Sequence, residues 1–213
     1  MRFKKALIML LLLVIMPLNI YAYSDYIYAG GETVGIKVNS LGILVVGKYD
    51  IGKKTVLQVG DIITTIDNKT IKSSTDFIGA IKNKSVVSVD YIRGNKEYKT
   101  DLNIVLENGI YKSGLYVKDS ITGIGTLTYI DPKTGLFGAL GHEIIEKTTG
   151  KLFNSSSGSI FESTITGITM SSKGIPGAKN AKYYADNVLG TVFENTNKGI
   201  FGNYTSTLPN KKL

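Results

Sequence analysis

The chain has no cysteine among its 213 residues, a single histidine and only 4 prolines. Without thiols there are no disulfide staples, no thiolate metal sites and no cysteine nucleophile. One imidazole with no thiolate beside it is a poor start for a transition-metal site, which usually draws on two or three such ligands. No metal and no cofactor are expected. The chain also lacks a basic patch interleaved with aromatics. Its net charge of +8 includes Arg2, Lys4 and Lys5 at the extreme amino terminus, and the other lysines are scattered, so no nucleic-acid partner is expected.

What is present is a folded, β-rich composition. At 43% hydrophobic and 20% charged, the chain belongs among globular proteins. The 24 glycines, with recurring Val, Ile, Thr and Tyr, favour short strands joined by tight turns.

The amino terminus reads differently. Behind Arg2, Lys4 and Lys5, an unbroken apolar run from Ala6 to Ile15 continues past Met16 and Pro17 to Tyr21. Residues 1–22 are therefore expected to be a signal sequence or membrane anchor, near the lower limit for spanning a bilayer, where ~20 residues are usual. The positive-inside tendency keeps the basic residues cytoplasmic and places the rest of the chain across the membrane.

From Gly30 to Leu106 the pattern predicts strands at Val34–Val38, Ile43–Gly47 and Val56–Ile66. One helix is predicted at Thr75–Lys82, capped by Ser74 or Thr75, with Phe77, Ile78 and Ile81 as its apolar stripe. Val87, Val89 and Tyr91 alternate along a further strand, which turns at Gly94-Asn95 and returns over Glu97–Val105. This order, with Val34-Gly35-Ile36-Lys37 opening a strand and Gly60-Asp61-Ile62-Ile63 further on, resembles PDZ domains attached to bacterial proteases. The resemblance implies a PDZ-like domain over 30–106. It also implies a peptide-binding edge at Gly35, Ile36, Lys37 and Val38, where free amides would hold a carboxylate and an open strand edge would pair with the ligand.

The second region opens near Gly114-Leu115-Tyr116-Val117. It runs through Gly123-Ile124-Gly125-Thr126 to Phe137-Gly138-Ala139-Leu140-Gly141-His142, then to Gly174-Ile175-Pro176-Gly177 and Asn195-Thr196-Asn197-Lys198-Gly199-Ile200-Phe201-Gly202. In order and spacing these blocks resemble the stage IV sporulation protein B family of serine peptidases. The resemblance implies a trypsin-like double β-barrel over 107–213 behind the PDZ domain. The family's members are exported to the forespore intermembrane space, where they cut a membrane-associated regulator of a metalloprotease and so lead to late sigma-factor activation. His142 falls on the catalytic histidine, and an imidazole, with an ordinary pKa of ~6.5, accepts and returns protons near neutrality.

The resemblance also implies a nucleophile in a Ser-Gly-Ser-Pro motif far beyond the histidine, and no such motif occurs before Leu213. The expectation is a carboxy-terminally truncated peptidase; the alternative is a non-catalytic, membrane-anchored pseudo-peptidase that binds peptides. Ser157-Gly158-Ser159 follows His142 too closely and reads as a surface loop. Asp131, Glu143, Glu146 and Asp186 are the acids at hand, with no assignment among them. One internal echo, Gly135-Leu136-Phe137-Gly138 against Gly199-Ile200-Phe201-Gly202, suggests repeated strand-turn units.

Overall fold

The structure, a computed structural model, describes residues 24–208. The leader expected at 1–22 lies outside the described residues. Among those described, no helix is long and apolar enough to cross a membrane.

The fold is mostly β. In chain order the strands are β1 (Tyr28–Ala29), β2 (Thr33–Lys48), β3 (Ile62–Ile66), β4 (Lys69–Thr70), β5 (Val86–Arg93), β6 (Lys96–Asn103), β7 (Val105–Glu107), β8 (Ile110–Lys112), β9 (Leu115–Ile130), β10 (Leu136–Ala139), β11 (Ile145–Glu146), β12 (Lys151–Leu152), β13 (Ser155–Thr169), β14 (Ala178–Thr196) and β15 (Gly199–Tyr204). One helix, α1 (Ser74–Ile81), lies between β4 and β5. Its cap is Ser73 rather than Ser74 or Thr75. The Ser73 hydroxyl accepts from the Asp76 amide at 3.0 Å while the Asp76 carboxylate accepts from the Ser73 amide at 3.0 Å, a reciprocal box that fixes the start. Phe77 and Ile81 are buried as expected, but Ile78 faces outward.

Pairing closes six strands into an antiparallel barrel. β2 pairs with β9, β9 with β10, β10 with β15, β15 with β14, β14 with β13, and β13 returns to β2. Closure removes the sheet edges. This is the one closed barrel among the described residues. Its interior holds Val34, Ile36, Val38, Leu127, Ile130, Phe137, Ile160, Val192 and Ile200.

The two regions share walls. β2 is a single 16-residue strand where two short ones were expected. Its even positions Val34, Ile36, Val38 and Leu44 face the barrel core, while Ile43 and Val45 face a second core with Phe77, Ile81, Val87, Val89 and Leu102. Successive side chains on a strand point to opposite faces, so the run Ile43-Leu44-Val45 separates two cores by alternation alone. At the other end, β9 contributes Leu115 to the second core and Leu127 and Ile130 to the barrel. Strands from both sides of the expected boundary at 106 thus build both cores.

The strand expected over Val56–Ile66 is confined to Ile62–Ile66. Before it, the Asp61 carboxylate accepts from the Gln58 amide at 2.7 Å, which folds the chain into a turn through Gly60 (φ 98°). Asp61 is buried and takes two further bonds of 2.7 Å from the Arg93 guanidinium, a bidentate pair.

Candidate active site

β10 ends in a sharp turn that presents the lone histidine. Leu140 and Gly141 both adopt left-handed backbone, at φ 73° and 76°. For a leucine this is a strained conformation that the surroundings must enforce. The Leu140 amide donates to the Thr126 carbonyl at 3.0 Å. Its side chain fills the space left by Gly125, where a Cβ would stand 2.6 Å from Leu140 Cδ2. Gly199 lets the β14–β15 turn approach from the other side, since a Cβ there would stand 3.0 Å from the Gly141 nitrogen.

His142 is thereby exposed. Its Nδ1 lies 2.9 Å from the Glu143 carbonyl oxygen. A carbonyl only accepts, so Nδ1 carries the proton, and in the neutral ring Nε2 is the acceptor. Among the described residues nothing hydrogen-bonds to Nε2. The ring stands at the rim of a cleft of about 190 Å³, lined mainly by Ile36, Ile121, Ile124, Leu140 and Ile144.

Asn195, on β14, holds the segment that follows. Its carboxamide oxygen accepts from the Ile144 amide at 2.9 Å, and its Nδ2 donates to the Ile144 and Phe153 carbonyls, both at 3.0 Å. One side chain thus pairs with backbone as a strand would, two residues past His142. Sequence reasoning placed Asn195 in a quoted block but gave it no role.

None of the acids weighed in the sequence hydrogen-bonds to the imidazole among the described residues. Asp131 accepts from the Ser24 hydroxyl and from the Lys133 and Thr134 amides, with the Ser24 hydroxyl the main reason its carboxyl lies far below the usual range. Glu146 is buried, which by itself would raise its pKa, but the Thr149 amide at 2.8 Å and the Lys118 ammonium at 3.0 Å outweigh burial and hold it below its ordinary value. Asp186 is exposed on β14, outside the cleft, and Glu143 contributes its carbonyl rather than its carboxylate.

Ser157-Gly158-Ser159 is not a surface loop. It lies in the barrel wall on β13, paired with Asn39, Val38 and Lys37 of β2, and a Cβ at Gly158 would stand 2.5 Å from the Lys37 carbonyl oxygen. The backbone pairing fixes these serines in the sheet, a firmer reason than loop character to discount them as nucleophiles.

The open edge expected at Gly35, Ile36, Lys37 and Val38 is not open. These residues pair with Phe161, Ile160, Ser159 and Gly158 on one side and with Ile124, Gly123, Thr122 and Ile121 on the other. An added strand has no free backbone to meet, because barrel closure has consumed both edges. Of the four, Ile36 comes together with His142 at the cleft, Val38 is wholly buried and Lys37 is exposed. Gly35 makes room for Tyr183, whose Cβ would lie 2.3 Å from a Cβ at that position.

The echo noted in the sequence is a contact. Phe137 pairs with Gly202 and Gly138 with Phe201 across β10 and β15, and the Phe137 ring occupies the space left by Gly202.

Comparison with known proteins follows these divisions. The family model for SpoIVB peptidase S55 matches residues 109–213, and that for a PDZ domain matches residues 32–104. Among solved structures, the PDZ domain of an SdrC-like protein from Listeria monocytogenes is 30% identical, covering 38% of this chain and 90% of that one, with a TM-score of 0.33. Its counterpart from Listeria innocua is 29% identical, covering 36% and 92%, also with a TM-score of 0.33. No curated protein matches the chain.

Proposed function

Because residues 109–213 belong to the SpoIVB peptidase S55 family and residues 32–104 to the PDZ domains, we propose that this chain carries the general-base half of a sporulation serine endopeptidase. The observation that carries the reading is the state of His142. Its Nδ1 proton is committed to the Glu143 carbonyl, Nε2 has no partner among the described residues, and the exposed ring borders a cleft. That is the tautomer in which a catalytic histidine takes the proton of a serine hydroxyl and later returns it to the leaving amine. The Glu143 carbonyl here does the orienting that a carboxylate usually does.

The nucleophile in this proposal is the first serine of the family's Ser-Gly-Ser-Pro motif, supplied from outside residues 1–213. The substrate is a polypeptide, and by family a membrane-associated regulator of a metalloprotease, cut in the forespore intermembrane space on the way to late sigma-factor activation. The leader of basic and apolar residues supports export or anchoring.

The test begins with the codons after Leu213, read in all three frames for the serine motif. A chain extended through that motif is expected to be labelled by a serine-directed fluorophosphonate, with labelling lost in His142→Ala. Labelling indifferent to His142→Ala would overturn the assignment of the base. Peptide binding without any labelling would favour the non-catalytic reading.

A further inference from the structure

The outer half of the β13–β14 ribbon belongs to neither core. Beyond Glu162, the last residue of β13 paired with β2, the two strands pair only with each other, from Ser163 opposite Tyr183 to Thr169 opposite Ala178. Beyond that they close at a two-residue Lys173-Gly174 turn, where Ser172 and Ile175 exchange bonds of 3.0 and 2.9 Å. Ile165 stands opposite Ala181 and Ile168 opposite Lys179, with a register shift between them. Residues 179, 181 and 183 alternate onto one face of β14, so Ile165 and Ile168 share that face. Towards the tip, Ile168, Met170 and Ile175 are 69%, 84% and 62% exposed. A two-stranded ribbon is marginal in water by itself, and a contiguous apolar patch of this kind marks an interaction surface.

The charge says what kind of surface it fits. From 163 to 185 the chain carries Lys173, Lys179 and Lys182 and no acidic residue. None of the three is in an ion pair among the described residues. Lys182 stands over the Tyr184 ring at 5.7 Å, an amphipathic pair suited to a boundary between lipid and water. The nearest acids in the ribbon, Glu162 and Asp186, lie at its base, and Glu162 is engaged by Asn187 at 2.8 Å. The same chain begins with three basic residues and a long apolar run, which would hold this domain beside a bilayer.

We propose that the ribbon tip, Met170 to Ile175 with Ile168 behind it, inserts shallowly into an anionic bilayer surface while Lys173, Lys179 and Lys182 meet lipid phosphates. The hairpin satisfies much of its own backbone through cross-strand bonds, which the interface of a bilayer demands. The proposal does not depend on whether the chain cuts peptides.

Absence of native cysteine makes the test direct. In the full chain, Met170→Cys is labelled with an environment-sensitive fluorophore and mixed with vesicles of phosphatidylcholine alone or with phosphatidylglycerol. Because the leader is common to every variant, the readout is the label's depth, from its blue shift and its quenching by lipid-borne quenchers. Insertion is expected only on anionic vesicles and is expected to weaken with salt. The same label at Ile175→Cys should behave alike, and one at Lys96→Cys, at the start of β6, should stay in water. Replacing Lys173, Lys179 and Lys182 by Gln is expected to shift the inserted-to-free ratio on the order of 100-fold. A tip label that stays in water on both vesicles, or that inserts equally into neutral ones, overturns the proposal. So does a shift without lipid that grows with protein concentration, which would identify a second copy as the occupant.

Discussion

A single side chain, Asn195, sets the course of the backbone beside the lone histidine. It satisfies the Ile144 amide and the Phe153 carbonyl, and adds a second donor to the Ile144 carbonyl, which also accepts from the Phe153 amide at 2.9 Å. Asn195→Ala takes the side-chain partner from the Ile144 amide and the Phe153 carbonyl, at a cost of about 1–3 kcal/mol, measurable as a lower urea midpoint. A purely structural loss would stop there. If Asn195 positions His142 through Ile144, the variant should also lose the preference for the Nδ1-protonated tautomer. ¹⁵N chemical shifts would show this without assignment, because His142 is the only histidine. A tautomer unchanged in a folded Asn195→Ala chain would reduce Asn195 to a stabilising role. His142 was singled out through the family resemblance of the glycine-rich blocks around it. Asn195 was not, because a half-buried Asn in a strand looks the same in sequence whether it faces solvent or grips a distant loop.

Among the elements, β2 and the β13–β14 ribbon are coupled through a gap. Gly35 on β2 is buried beneath Tyr183 of β14, and Phe161, opposite Gly35, holds its ring 5.7 Å from that of Tyr183. The glycine is needed for space: its own Cβ would stand 2.3 Å from that of Tyr183, closer than real side chains come. Gly35→Val is expected to destabilise by about 1–3 kcal/mol through overpacking, seen in urea unfolding and in faster amide exchange over 161–183. In a double-mutant cycle, Tyr183→Gly should cost less in the Gly35→Val background than alone, since it removes the colliding atom. Strict additivity would show that Gly35 matters for some other reason. The resemblance implied a peptide ligand beside Gly35; the structure fills the place with the chain's own tyrosine.

At the scale of the whole molecule, sharing β2 and β9 between two cores makes the PDZ-like region and the barrel one cooperative unit. Residues 109–213, the span of the peptidase family match, lack β2 and hence one wall of the barrel. Expressed alone, that fragment exposes the β9 and β13 edges that β2 covers, along with the apolar interior. It is expected to show no cooperative thermal transition and to aggregate. A peptide of residues 33–48 added in trans should restore strand dispersion in the NMR spectrum. A fragment that melts cooperatively without it would mean that the remaining strands close on themselves.

The sequence by itself determined what depends on near neighbours. The β-rich character, the one helix with its apolar Phe77 and Ile81, and the alternation along Val34, Ile36 and Val38 all follow from periodicity and local backbone preference over a few residues. Tertiary structure alone decided which strand meets which. Alternation says that Val34 and Ile36 share a face, but it does not say that both edges of their strand are taken, because a strand's hydrogen-bonding groups are the same whatever its side chains. Barrel closure depends on partners more than a hundred residues away, Ser159 for Lys37 and Glu162 for Val34. It turned an expected peptide-docking edge into a wall and Asn195 into the clamp that holds the chain beside His142, while the separate pairing of β3 with β5 set Arg93 against Asp61.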